Sequence, residues 1–141
     1  MARPEPFTFP VDVRYLEVDR QGVVFNMWYL AYLDDAMTAF LAHRGLRYVD
    51  MLQAGYDVQL VHTELDWSGS LGWGEPAEVD VAVARLGRTS FALQFAVRAG
   101  DRPVATAETV YVVVATDGSG KLAIPALIAD ALGVPDPLRE R

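Results

Sequence analysis

The chain has 141 residues, no cysteine, a net charge of −7 and 52% hydrophobic residues. One domain spanning 1–141 with a real core is expected; disulfides and cysteine-held metals are excluded, and the acidic balance speaks against a general nucleic-acid surface. No apolar run reaches membrane-spanning length and the opening MARPEPFTF lacks a signal-peptide core, so a cytoplasmic protein with no membrane span is the expectation.

A first strand is predicted over residues 7–19, where Phe7, Phe9, Val11, Val13 and Tyr15 alternate with Thr8, Asp12 and Arg14. Carried on, that alternation turns Glu17 and Asp19 to the core side, where a polar group needs partners or a task. The period then changes. Over residues 26–44, Tyr29, Tyr32, Leu33, Ala36, Met37, Phe40 and Leu41 recur at three- and four-residue spacing, which predicts a helix with a broad apolar surface, stopped at Gly45. A short helix is expected over 47–54 and another over 125–132. Four strands are predicted between them, over 57–67, 77–86, 89–99 and 103–116; in one of these, Phe91, Leu93, Phe95 and Val97 alternate with Ala92, Gln94, Ala96 and Arg98. Short turns at Gly87-Arg88 and Gly100-Asp101 make the last three strands antiparallel neighbours. Strand, long helix, four strands is an α+β order: an antiparallel sheet curled around one helix. Its open edges predict a homodimer.

Few residues offer chemistry. His43 sits at the end of the predicted helix, and His62 falls on a polar strand side with Glu64 and Asp66; both read as structural. Neither HExxH nor another paired-histidine spacing is present, so no metal site is expected. SGSLG lacks the first glycine of a nucleophile elbow, and GSGKL lacks the spacing and hydroxyl residue of a phosphate loop, which leaves it a hairpin or turn. Arg85, Arg88, Arg98 and Arg102 either meet an anionic ligand or are solvated strand ends. Asp19 has three readings: a helix N-cap, an exposed loop residue, or a functional carboxylate. The last has a physical basis. A helix start offers free N–H groups and a positive dipole end for a developing oxyanion. A carboxylate beside it can attack or activate water. Thioesters suit so sparse an apparatus, because the thiolate leaves without an acid.

The stretch VRYLEVDRQGVVFNMWYLAYLDDAMTAFL resembles the opening of the 4-hydroxybenzoyl-CoA thioesterase-like branch of the hot-dog-fold acyl-CoA thioesterases, with Arg14, Tyr15, Glu17, Asp19, Gly22, Val23, Val24, Phe25 and Tyr29 fitting its pattern. LGRTSFALQFAV is similar to a later segment of that family through Gly87, Arg88, Ser90 and Phe91. The resemblance spans about residues 7–125. It implies a hot-dog fold with a five-stranded antiparallel sheet wrapped around a long central helix. It also implies active sites at a dimer interface, in a homodimer or a dimer of dimers, with Asp19 as the catalytic carboxylate beside Gly22 and the Asn26 backbone N–H polarising the thioester carbonyl. Coenzyme A enters as part of the substrate, with no separate cofactor, and its binding is implied for Arg88, Thr89 and Ser90. Phe25, Trp28 and Tyr29, with Tyr32 and Trp67, either line an acyl pocket or belong to the core. The chain departs from the family in carrying Asn26 where many members have His or Tyr, Trp28 where many have Asn, and Arg20-Gln21 in the turn. An acyl-CoA thioesterase is therefore the leading expectation, with Asp19 attacking directly or activating water. The alternatives are a carrier-protein thioesterase, which the acidic surface disfavours, and a non-catalytic acyl-CoA-binding hot-dog protein. A hydratase would need a histidine beside Asp19, a place that His62 would have to reach in space.

Overall fold

The computed structural model describes residues 5–139. β1 (Phe7–Asp12) is followed by a 3-10 turn (Tyr15–Glu17), α1 (Trp28–His43), α2 (Tyr48–Gln53), β2 (Tyr56–Trp67), β3 (Pro76–Leu86), β4 (Ser90–Ala99), β5 (Arg102–Ala115), the two-residue β6 (Lys121–Leu122) and α3 (Ala126–Leu132). The sheet is antiparallel in the order β1-β3-β4-β5-β2, and β6 adds to β5 where β4 has ended. Five strands of useful length curl around α1, which is the hot-dog arrangement. None of the helices among the described residues is long and apolar enough to cross a membrane.

The core follows from two periodicities meeting. Tyr29, Tyr32, Leu33, Ala36, Met37, Phe40 and Leu41 are the buried residues of α1, recurring at the spacing that places them along one side. They face Phe91, Leu93, Phe95 and Val97 of β4 and Val79, Val81 and Val83 of β3, all buried. Each fully buried aromatic or aliphatic side chain contributes about 1.5–3 kcal/mol. Ile128 and Leu132 of α3 close one end, and Arg44 holds that helix by donating to the Ala131 and Leu132 carbonyls. The outer face of β4 is covered as well. Gln94 exchanges two hydrogen bonds with the Arg139 backbone, so the segment at Arg139 lies on the sheet.

The first strand is shorter than its alternation predicts. It stops at Asp12, because the Glu17 side chain accepts from the Arg14 N–H at 3.0 Å while the Glu17 N–H donates to the Arg14 carbonyl at 2.9 Å. That closes a 3-10 turn and breaks the phase. Tyr15, expected on the core side, is 75% exposed and packs edge-on against Trp73. Glu17 is buried nonetheless, by way of the turn rather than the strand. The other predicted elements match their spans to within two residues, and β6 is an addition to them.

The two edges differ. β1 is short and carries Pro10, which offers no N–H to a further strand. β2 is twice as long, bulged between Leu60 and His62, and exposes Leu60, Val61 and Trp67.

Candidate active site

Residues 17–25 form a tight hairpin between the 3-10 turn and α1. Asp19 N–H donates to the Val23 carbonyl and Phe25 N–H to the Glu17 carbonyl, both at 2.9 Å. Gly22 N–H returns to the Asp19 carbonyl at 3.0 Å, and its φ of +79° is the left-handed conformation that closing this turn demands. Asp19 is thus the first residue of the turn. One carboxylate oxygen accepts the Gln21 N–H at 2.8 Å; the other has no hydrogen-bond partner among the described residues, and the side chain is partly open to solvent. It does not cap α1.

A second loop, residues 68–75, holds the hairpin in place. Val24 N–H donates to the Leu71 carbonyl at 2.8 Å, and Val23 bridges to Gly72. The loop is pinned from behind. Arg102 reaches Glu75 at 2.6 Å and the Ser70 carbonyl at 3.0 Å, while Glu75 also accepts the Gly72 N–H. Arg102 and that N–H keep the Glu75 carboxyl below its usual range.

On the other side stands Glu17, 3% exposed. Its carboxylate accepts from the Tyr32 hydroxyl at 2.7 Å, from the Arg14 N–H, and from the Arg14 guanidinium at 2.8 Å. Burial pushes its pKa up, but these donors together outweigh burial and leave it lowered. The same contact, with burial first, pushes the Tyr32 phenol up. Glu17 therefore ties the hairpin to the middle of α1.

The helix opens just beyond. Trp28 N–H donates to the Phe25 carbonyl and Leu30 N–H to the Met27 carbonyl, but the N–H groups of Asn26 and Met27 have no partner among the described residues, and no side chain caps the helix. Asn26 and Met27 also line a groove of about 360 Å³, together with Phe25, Leu30, Thr63, Leu65 and Trp67, and its walls are almost wholly apolar. The first turn of α1 forms one wall and the end of β2 the other.

The structure sorts the residues singled out in the sequence. Asp19, Gly22 and the Asn26 backbone occupy one continuous hairpin and helix start, and Phe25 and Trp67 line the groove. Trp28 and Tyr29 do not. Trp28 is turned the other way, beneath the Arg14 guanidinium, and Tyr29 is 1% exposed, in the core behind Trp67. Met27, Leu30 and Leu65 line the groove instead. Periodicity could not single these out, because an apolar side chain on a groove and one in a core obey the same spacing.

Arg88, Thr89 and Ser90 are not brought to Asp19 within the chain. They lie at the start of β4, whereas the loop beside Asp19 is anchored by Arg102 at the far end of the β4–β5 pair, about 30 Å away for a strand of this length. Arg88 is exposed and its guanidinium has no partner among the described residues; its carbonyl accepts from Ile124, and Ser90 accepts from Arg85 at 3.2 Å. Of the four clustered arginines, Arg98 is held by Asp80 and Glu78 and Arg102 by Glu75. His62 is exposed on β2 beside Glu64, and His43 packs on Phe7.

Comparison with known proteins agrees with this fold. The family model of the thioesterase-like superfamily matches residues 13–132. A putative esterase from Aquifex aeolicus is 29% identical over 128 residues, spanning 90% of this chain and 98% of the relative. A 1,4-dihydroxy-2-naphthoyl-CoA hydrolase from Synechococcus elongatus is 23% identical over 130 residues, spanning 91% and 96%. The crystal structure of a hypothetical protein from Aquifex aeolicus superposes with a TM-score of 0.87 at 27% identity, covering 91% of this chain and all of that one.

Proposed function

The chain belongs to the thioesterase-like superfamily, and from that premise we propose that it hydrolyses acyl-CoA thioesters to a free acid and coenzyme A with Asp19 as the reacting carboxylate. The observation that carries this reading is the pair of unpartnered N–H groups at Asn26 and Met27, two residues that also line an apolar groove at the end of the Asp19 hairpin. The acyl group lies in the groove. Its carbonyl oxygen accepts from the helix start, where the dipole favours negative charge. Asp19 then attacks the carbonyl carbon or takes a proton from a water that does. The C–S bond breaks, the thiolate departs as coenzyme A, and the acid is released. In the direct route the mixed anhydride on Asp19 is hydrolysed by a second step.

Two features support a site shared between two copies. β2 offers a long free edge, and the Arg88 end of the sheet is remote from Asp19 in a single protomer. Antiparallel pairing of β2 with its symmetry mate brings opposite ends of two sheets together. Arg88, Thr89 and Ser90 of one copy then serve the nucleotide of a substrate whose thioester lies at the other copy's Asp19. The Synechococcus relative takes an aryl-CoA by name, and the groove here suits a compact apolar or aromatic acyl group better than a charged one.

The test is free-thiol release across acyl-CoAs from acetyl to palmitoyl, with benzoyl and phenylacetyl included. Turnover that peaks with a compact acyl group is expected. No turnover on any ester, with coenzyme A still bound, would refute the reading.

A further inference from the structure

One loop, residues 68–75, meets both the hairpin and the helix that follows it. On the hairpin side, the Leu71 carbonyl takes the Val24 N–H at 2.8 Å, and Gly72 pairs with Val23, whose own carbonyl accepts the Asp19 N–H at 2.9 Å. Gly72 also lies close to the turn: a Cβ added there would meet the Gly22 carbonyl at 3.7 Å. On the helix side stands Tyr29, in the first turn of α1. Burial pushes its phenol up, while the Leu71 N–H and the Arg102 charge pull it back.

The loop does not hold this place unaided. Gly69, Gly72 and Gly74 leave it little stiffness of its own. Its start is rooted on β5, where the Ser68 and Gly69 N–H groups donate to the Val104 carbonyl, and it ends where β3 begins at Pro76. Between those points the Arg102 guanidinium spans it, donating to the Ser70 carbonyl at 3.0 Å and to one Glu75 oxygen at 2.6 Å. The other Glu75 oxygen accepts the Gly72 N–H at 3.1 Å. A path of hydrogen bonds and one strand-like pairing therefore runs from Arg102 through Glu75, Gly72 and Val23 to the Asp19 backbone.

Magnitudes say what this pair is for. The Arg102 side chain is 47% exposed and that of Glu75 34%. An ion pair so open to water contributes little to stability, because solvent screens it. Its geometry is specific all the same, since one guanidinium fork and one carboxylate fix three points of the loop at once. What the pair governs is where Gly72 stands, and with it Val23 and Asp19.

We propose that Glu75 and Arg102 are positioning residues of the hydrolysis, fixing through loop 68–75 the place of Asp19 relative to the open N–H groups of Asn26 and Met27. This rests on the reading of Asp19 as the reacting carboxylate. Neither residue lines the groove, so neither acts through binding of the acyl group. A misplacement of about 1 Å at a reacting group costs on the order of 100-fold in rate. A clamp that adds little to stability thus has a large lever on turnover.

The experiment measures kcat and KM for thiol release in Glu75→Ala, Arg102→Ala and the double variant, each scaled to its folded fraction. Arg98→Ala is the control: Arg98 is held by Glu78 and Asp80 of β3, off the path to Asp19. In each single variant kcat should fall by about 10- to 100-fold, with KM within about threefold of native. The double variant should fall no further than the weaker single, because the two act as one unit. Arg98→Ala should lose stability and keep its kcat per folded molecule. Amide hydrogen exchange supplies a readout that needs no activity: the Asp19 and Val24 N–H groups should exchange about tenfold faster in Glu75→Ala, with those of β4 unchanged. Native kcat in both single variants, an equal loss in Arg98→Ala, or unchanged exchange at Asp19 and Val24 would overturn the proposal. Absence of turnover in the native protein would remove the thioesterase reading instead, and the exchange rates would still decide whether the clamp holds the hairpin.

Discussion

Glu17 and Asp19 are two carboxylates two residues apart, and the fold treats them as opposites. Glu17 is sealed from water, and Tyr32 and Arg14 between them satisfy both its oxygens. Asp19 is partly open and spends one oxygen on a local turn while leaving the other unengaged. A carboxylate surrounded by donors is a poor base and nucleophile, because those donors hold the charge a reaction would need. One with a spare oxygen, in the hairpin that leads to the helix start, is available. The difference teaches that the hairpin divides its labour: Glu17 fastens it to α1, and Asp19 is what it presents.

Substitutions can break that division. The largest effect expected on turnover is that of Asp19→Asn, a fall in kcat of about 1,000-fold in thiol release, with the urea midpoint nearly unmoved. Glu17→Ala should act on the fold instead. It leaves the Tyr32 hydroxyl buried and unpaired and should cost about 2–3 kcal/mol by urea titration. Gly22→Ala is smaller. At φ +79° an added Cβ meets nothing within 4 Å, so only the backbone conformation is penalised, by about 1 kcal/mol; turnover should drop with it, since the turn that aims Asp19 is distorted. His62→Ala should be the smallest, with turnover within about twofold of native, because the ring is exposed and, among the described residues, paired only with Glu64.

Acid sharpens the same contrast. The Glu17 carboxyl is lowered from its ordinary 4.5, so its contribution to stability is complete above that value and is lost as pH falls through the lower folded-state value. Asp80, held by Arg98 and Thr8 against the upward push of its burial, is lowered from 3.8 and behaves the same way. Urea midpoints should therefore hold from pH 7 to about 5 and decline below. Glu17→Gln should start lower and decline less.

Much of this was legible in the residues. The shift from a two-residue to a 3.6-residue period marks where β1 gives way to α1, and the alternation through Phe91, Leu93, Phe95 and Val97 marks a strand on the core. Glu17 announced itself as a polar residue in an apolar phase. The 3-10 turn was not legible, because it is made by the Glu17 side chain bonding back to Arg14, a contact no periodicity carries. The clamp between Arg102 and Glu75 was hidden for a similar reason: 27 positions separate the two, and only the sheet brings them together. Trp28 and Tyr29 looked as fit for a pocket as Phe25. What separates them is the direction each leaves the helix start, which a straight reading of the sequence does not contain.

The most direct test of the division is thiol release from a compact acyl-CoA by native protein, Asp19→Asn and Glu17→Gln, each scaled to its folded fraction. The account predicts that Asp19→Asn is folded and nearly inert, while Glu17→Gln, less stable, keeps most of its turnover per folded molecule. Equal turnover in the native protein and Asp19→Asn, or a collapse in folded Glu17→Gln that Asp19→Asn does not share, would contradict it.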